Sequence, residues 1–178
     1  MDSINKNQPE HNLQHLTNKD AVEKIKELIK KSSTCFFTTA AATGQSAGTR
    51  PMAVQKTDDE GNLWFLSAKD SHKNMEISMS PLVKLYFQGS PHSDFLFLEG
   101  SAVITDNKQI IKELWEPLLK VWFTEGENDP RISVIKFTPA KGYYWDNKHG
   151  NAIAGIKIMI SAAIGKTLDD SIEGKIII

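Results

Sequence analysis

The stretch from Thr49 to Lys73, TRPMAVQKTDDEGNLWFLSAKDSHK, restricts the fold more than any other part of the chain. Strand-forming apolar residues run from Met52 to Val54 and from Leu63 to Leu66. Between them Asp58, Asp59, Glu60 and Gly61 supply turn chemistry, with a glycine that accepts positive φ. The pattern predicts a hairpin. Ser71 then offers an N-cap to a short helix carrying Met75, Ile77 and Met79. Arg50 enters the first strand, and Ser71 and Lys73 follow the second. Antiparallel pairing would therefore bring a guanidinium, an ammonium, a hydroxyl and the N–H groups of a helix start toward a single dianion. By spacing alone the two cations read as ordinary solvated charges more readily than as a clamp, because no short phosphate motif is matched. Either way their charged heads are expected in water, so that removing one should shift stability by less than about 0.5 kcal/mol.

The rest of the sequence predicts what surrounds this hairpin. Residues 1–15 are polar, with little to bury, and are expected to form a mobile tail; residues 16–178 are expected to form one domain. Thr17 and Asp20 resemble a capping box ahead of a helix with Val22, Ile25, Leu28 and Ile29 on one stripe. Strands are predicted at Thr34–Ala40, Ala47–Gln55, Leu82–Phe87 and Asp94–Thr105, the last with a bulge or corner at Gly100. Asp106 is a candidate N-cap for a helix reaching Leu119 and kinked at Pro117. Two further strands, Ile132–Phe137 and Lys141–Trp145, are separated by a break at Pro139. For residues 152–164 periodicity does not choose between strand and buried helix. The expectation is a mainly β, α+β fold: six or so antiparallel strands closing into a small split barrel with flanking helices.

Several function classes lose support. The formal net charge is −1 with acids and bases interspersed, so no nucleic-acid footprint is present. Cys35 is the only cysteine, in an apolar TCFF context; it reads as a buried strand residue of a protein from a reducing compartment. No apolar leader or eighteen-residue apolar run is found, so a cytoplasmic protein with no membrane partner is expected. The five histidines are scattered without metal-ligand spacing, and neither a nucleophile elbow nor a carboxylate pair stands out. No catalytic residue and no metal ligand is nominated.

The ordered series TRPM, LWF, Ser-x-Lys, Glu113-Leu114-Trp115, Trp122-Phe123, Asp129-Pro130 and Tyr144-Trp145-Asp146 resembles the bacterial general stress protein branch of the pyridoxamine 5'-phosphate oxidase-like, FMN-binding split barrels. The resemblance spans residues 17–178 and implies an FMN-binding homodimer. It places Arg50 and Lys73 on the FMN phosphate with Ser71 or His72 assisting. It puts Met52, Ala53 and Gln55 along the isoalloxazine ring, and Leu66 and Ser67 on the ribityl chain or the phosphate. Trp122 and Trp145 would be aromatics donated across a dimer interface. Two departures matter. His72 stands where many relatives carry arginine, removing a permanent charge, and the C-terminal GKTLDDSIEGKIII lacks the Arg-x-His with which true vitamin B6 oxidases grip their substrate. The implied function is an FMN-dependent oxidoreductase of unknown substrate; the alternative is a non-enzymatic carrier or sensor of flavin or of another phosphorylated or aromatic ligand. Concentration of Trp115, Trp122, Tyr143, Tyr144 and Trp145 in the last third points to an aromatic dimer face.

Overall fold

Alternating burial along the strands sets the architecture: Leu63, Phe65 and Ser67 are buried while Trp64, Leu66 and Ala68 are half-buried, and Val83, Leu85 and Phe87 alternate with exposed neighbours. The computed structural model describes residues 12–43, 48–91, 93–150 and 170–178, with Ala154, Lys157 and Met159 between. Its elements are β1 (Leu16–Thr17), α1 (Asn18–Lys31), β2 (Thr34–Thr39), β3 (Thr49–Ala53), β4 (Lys56–Thr57), β5 (Leu63–Ala68), α2 (His72–Met79), β6 (Leu82–Gln88), β7 (Phe95–Thr105), α3 (Lys108–Leu114), β8 (Ile132–Asn147) and β9 (Ser171–Ile177). The strands run β1-β9-β8-β7-β6-β2-β3, with β5 on the other side of β8 and β4 on β5. This mainly β, α+β sheet is antiparallel except where β1 runs parallel to β9. It curls around Phe37, Phe65, Leu85, Leu98 and Phe137, with Ile25 and Leu28 of α1 packed into the same core. The result is a split barrel with flanking helices.

The expected hairpin forms with a shorter ladder than its apolar runs suggest. Gly61 takes φ +82°, and Asp58 accepts from the Asn62 N–H at 2.8 Å and from Trp64 Nε1 at 3.0 Å. The pairing itself is Lys56 with Trp64 and Thr57 with Leu63. The Gln55 N–H reaches the Trp64 carbonyl at 2.8 Å, but β3 is not a ladder partner of β5, which pairs instead with β8. Arg50 and Lys73 are thus brought together by α2, not by two adjacent strands.

Other expectations are corrected by backbone chemistry. The two strands predicted around Pro139 are one sixteen-residue strand, β8. Proline, which has no N–H, is tolerated because the register shifts between Glu99 and Gly100, opposite it. Gly100 is obligatory at this bulge: a Cβ there would lie 2.1 Å from the Thr138 carbonyl oxygen. The helix predicted through Leu119 ends at Leu114, and a separate 3-10 turn starts at Pro117. Glu116, preceding that proline, is extended at φ −123°, ψ 144°. The N-cap is Asn107 rather than Asp106, its side chain accepting from the Gln109 and Ile110 N–H groups. Thr17 caps α1 without any side-chain bond. Ser171–Ile177 is a strand that no sequence signal identified. Asn12–His15, placed in the tail by composition, run along it: the Glu173 N–H donates to the Asn12 carbonyl and the Gln14 N–H to the Glu173 carbonyl, both at 2.8 Å. Residues 1–11 and most of 152–164 lie outside the described residues, within which Ala154, Lys157 and Met159 are helical. No described helix is long and apolar enough to cross a membrane. Cys35 is buried, and burial pushes its thiol up to about 12.

Candidate functional site

Arg50 stands opposite Phe37 in the β2–β3 register, two residues from Met52 opposite Cys35, so its side chain leaves the core face near the end of the sheet. There it meets α2. Its Nη2 donates to Glu76 Oε2 at 2.6 Å and its Nη1 to Thr39 Oγ1 at 3.0 Å. Glu76 is completely buried in the middle of α2. Its carboxylate also accepts from Thr39 Oγ1 at 2.6 Å and from the Thr43 N–H at 2.8 Å. Burial pushes this carboxyl up, but the bonds from Thr39, Thr43 and Arg50 outweigh it and hold the group at about 2.

Lys73 lies one turn before Glu76 on the same helix, and it is half-buried. Burial, and then the nearby Arg50 guanidinium, lower its pKa below the ordinary lysine value. Among the described residues its ammonium has no hydrogen-bond or ion-pair partner. A desolvated cation held beside a second cation costs free energy unless an anion arrives to offset it.

The neighbouring hydroxyls are committed inward. Ser67 Oγ is 2.8 Å from Asn74 Oδ1 and 3.2 Å from Ser71 Oγ, and Asn74 Nδ2 donates to Ser133 Oγ at 2.8 Å. This buried chain ties α2 to β5 and β8, which leaves Ser67 and Ser71 a structural task that sequence reasoning did not assign. His72 is exposed at the start of α2, its Nδ1 3.1 Å from Thr43 Oγ1. Met52 is half-buried against the core and Ala53 exposed on β3, the last strand on its side of the sheet. Gln55 Nε2 donates to the Ala53 carbonyl at 3.1 Å. Leu66 packs with Trp64 and Trp115 on a second apolar cluster around Ile111, Leu114 and Phe123.

The two tryptophans stand on other elements, Trp122 just after the 3-10 turn that starts at Pro117 and Trp145 on β8. Trp122 is 65 % exposed, and its carbonyl accepts from Arg131 Nη2 at 3.2 Å. Trp145 packs on Tyr143 at a ring distance of 4.7 Å and lines a concavity that also reaches Pro51 of β3. The registers align Pro51, Phe36, Tyr86, Phe97 and Tyr143 in one row across five strands on the outer sheet face. Phe36 is 60 % exposed and Tyr86 and Trp145 are each 44 % exposed, around a concavity of about 610 Å³. Phe36, Tyr86 and Phe97 were missed because only the register reveals that they stand in line. Of the other aromatics expected on such a face, Tyr144 is fully buried and donates its hydroxyl to the Gln14 carbonyl at 2.9 Å. Trp115 packs against the second cluster.

With this geometry in hand, known proteins supply a context. The family described as "Pyridoxamine 5'-phosphate oxidase like" matches residues 20–169. A solved structure named general stress protein 26, from Jannaschia sp. CCS1, superposes with a TM-score of 0.75 at 20 % identity, covering 89 % of this chain and 99 % of that one. The general stress FMN/FAD binding protein of Xanthomonas citri gives 0.59 at 22 % identity over 70 % of this chain and 87 % of its own. Protein bli-3 of Neurospora crassa is 26 % identical over 104 residues, 53 % of this chain; the chain spans about half the length of that curated relative.

Proposed function

Because this chain belongs to the pyridoxamine 5'-phosphate oxidase like family, we propose that it is an FMN-binding protein of the general stress type, with Arg50 and Lys73 as the phosphate ligands. The observation that carries this reading is Lys73, whose half-buried ammonium beside Arg50 has no hydrogen-bond or ion-pair partner among the described residues. A phosphate dianion fits such a pair of fixed donors. His72, at the start of α2, adds a further donor at the rim. Ala53 and Met52 lie on an edge strand whose outer backbone groups suit the polar edge of a flat ring, and the Gln55 amide lies next to them. When bound, the flavin supplies reversible electron transfer. The residues around it hold the phosphate and fix its position, and none of them is placed as a general acid or base.

The test is a pair of titrations with FMN and riboflavin, which share the ring and differ by the phosphate. FMN should bind more tightly. A phosphate dianion favours protonated Lys73, whose pKa in the free protein lies below 10.5. FMN affinity should therefore fall as pH rises through that depressed value, while riboflavin affinity stays level. Equal affinities at all pH values would remove the phosphate from the reading. Reduction of bound flavin by NADH or NADPH with reoxidation by an acceptor would make the protein an oxidoreductase; tight flavin without turnover would make it a carrier.

The site reads as half of a pair. The exposed aromatic row from Pro51 to Tyr143 is larger in character than scattered surface residues, and it borders a charged ladder in which Glu99 faces Lys84 and Lys141. We assign this face to a two-fold homodimer. Light scattering at micromolar concentration should give a dimer, and Phe36→Lys, which buries a charge in the middle of the row, a monomer. A wild-type monomer would refute the assignment.

A further inference from the structure

Resting on the phosphate reading, we infer that Glu76 is the positioning residue of the clamp: it fixes the Arg50 guanidinium and holds the two cations at one spacing before any anion arrives. A carboxylate with no solvent exposure is a costly way to fill space, and packed apolar residues often serve as well or better. Here the cost accompanies a specific geometry. Oε1 is held by the N–H of Thr43 at 2.8 Å and its hydroxyl at 3.2 Å, so the carboxylate cannot rotate. Oε2 takes Arg50 Nη2 and Thr39 Oγ1, both at 2.6 Å, and Thr39 Oγ1 in turn accepts from Arg50 Nη1 at 3.0 Å. Both terminal nitrogens of the guanidinium are thereby tied to a hydroxyl and a carboxylate that are tied to each other. The plane of the guanidinium is set by β2 and α2, not by its own flexible stem.

The helix spacing completes the argument. Lys73 and Glu76 are three apart on α2 and share a face, so the element that carries one phosphate donor also carries the group that orients the other. Arg50 opposes the charging of Lys73 and Glu76 favours it. The buried carboxylate therefore offsets the repulsion between the two cations, and it leaves Lys73 charged and available.

The experiment is a double-mutant cycle read by FMN and riboflavin titration. Glu76→Gln keeps the shape and the acceptor oxygen but removes the charge, and should weaken FMN about tenfold with riboflavin unchanged. In an Arg50→Ala background the same change should have no further effect on FMN, since the group it positions is gone. Thr39→Ala, which removes the hydroxyl joining Arg50 to Glu76, should weaken FMN in the same direction and serves if Glu76→Gln does not fold. Equal loss of both flavins, full additivity with Arg50→Ala, or tighter FMN in Glu76→Gln would each overturn the positioning role. Failure of the clamp itself looks different: there, neither Lys73→Ala nor Arg50→Ala would separate FMN from riboflavin.

Discussion

Lys73→Ala is expected to weaken FMN binding about ten- to a hundredfold, the loss of one charge-assisted contact worth about 1.5–3 kcal/mol, without destabilising the free protein. Because the Lys73 pKa is depressed by burial and by Arg50, its charge opposes folding below that pKa, and the mutant should be as stable as the wild type or slightly more so. Arg50→Ala should show a similar loss for FMN and a second effect that strand-end reasoning did not foresee. Arg50 is only 16 % exposed and its partner Glu76 is fully buried. Removing the guanidinium strands that carboxylate and should cost about 3 kcal/mol of folding free energy, the scale for breaking a buried ion pair. FMN and riboflavin titrations combined with urea unfolding resolve both effects. Riboflavin binding should be nearly indifferent to Lys73→Ala. If FMN affinity did not fall in either mutant, or fell equally for riboflavin, both residues would be ordinary charges.

The contrast between Arg50 and Lys73 shows which parts of the site could be read from sequence. Local signals carry their own grammar: Gly61 after three acids gave the turn, Ser71 the helix start, Gly100 the bulge, and the ordered motifs gave the family. Glu76 had no such signal. A glutamate in an eight-residue helix looks solvated until Thr39, Thr43 and Arg50, from 26 to 37 residues away, are folded against it. The internal bonds of Ser67 were equally illegible, since its hydroxyl partners are Ser71 at the N-cap and Asn74 on the helix that follows, and Asn74 in turn holds Ser133 of β8. β9 was invisible because SIEGKII is a short strand with a glycine inside. That glycine is needed because the Gln14 carbonyl runs so close that a Cβ on Gly174 would lie 1.8 Å from its oxygen. Only the partner segment explains the residue, and composition had assigned that segment to a tail. The aromatic row is likewise a property of register, which a one-residue slip would destroy.

A second large effect is expected at the C-terminal end of α1. Lys31 Nζ lies 2.6 Å from Asp94 and 3.4 Å from Asp146, carboxylates that are 2 % and 3 % exposed, and 3.2 Å from Glu27. These contacts pin the helix to the β6–β7 turn, where Asp94 holds φ +61°, and to β8. Burial pulls the Lys31 pKa down, but the hydrogen bonds to Asp94 and Glu27 and the field of Asp146 prevail and hold it above 10.5. Lys31→Met keeps the length of the stem and takes one cation from beside two buried carboxylates. A fully buried pair would lose about 3–5 kcal/mol; since Lys31 is 36 % exposed and Lys24 still reaches Asp146 at 3.2 Å, about 2 kcal/mol is expected. The pH dependence follows from the direction of the shift. A lysine whose folded pKa is raised contributes its full stability below the unfolded value and loses it as pH climbs through the folded one. The gap between wild type and Lys31→Met should therefore be constant from neutral pH to about 10 and shrink only above that. Urea midpoints at pH 7, 9 and about 11 test it: a gap that narrowed between 7 and 9, or no gap at pH 7, would mean that these charges decorate the helix end without holding it.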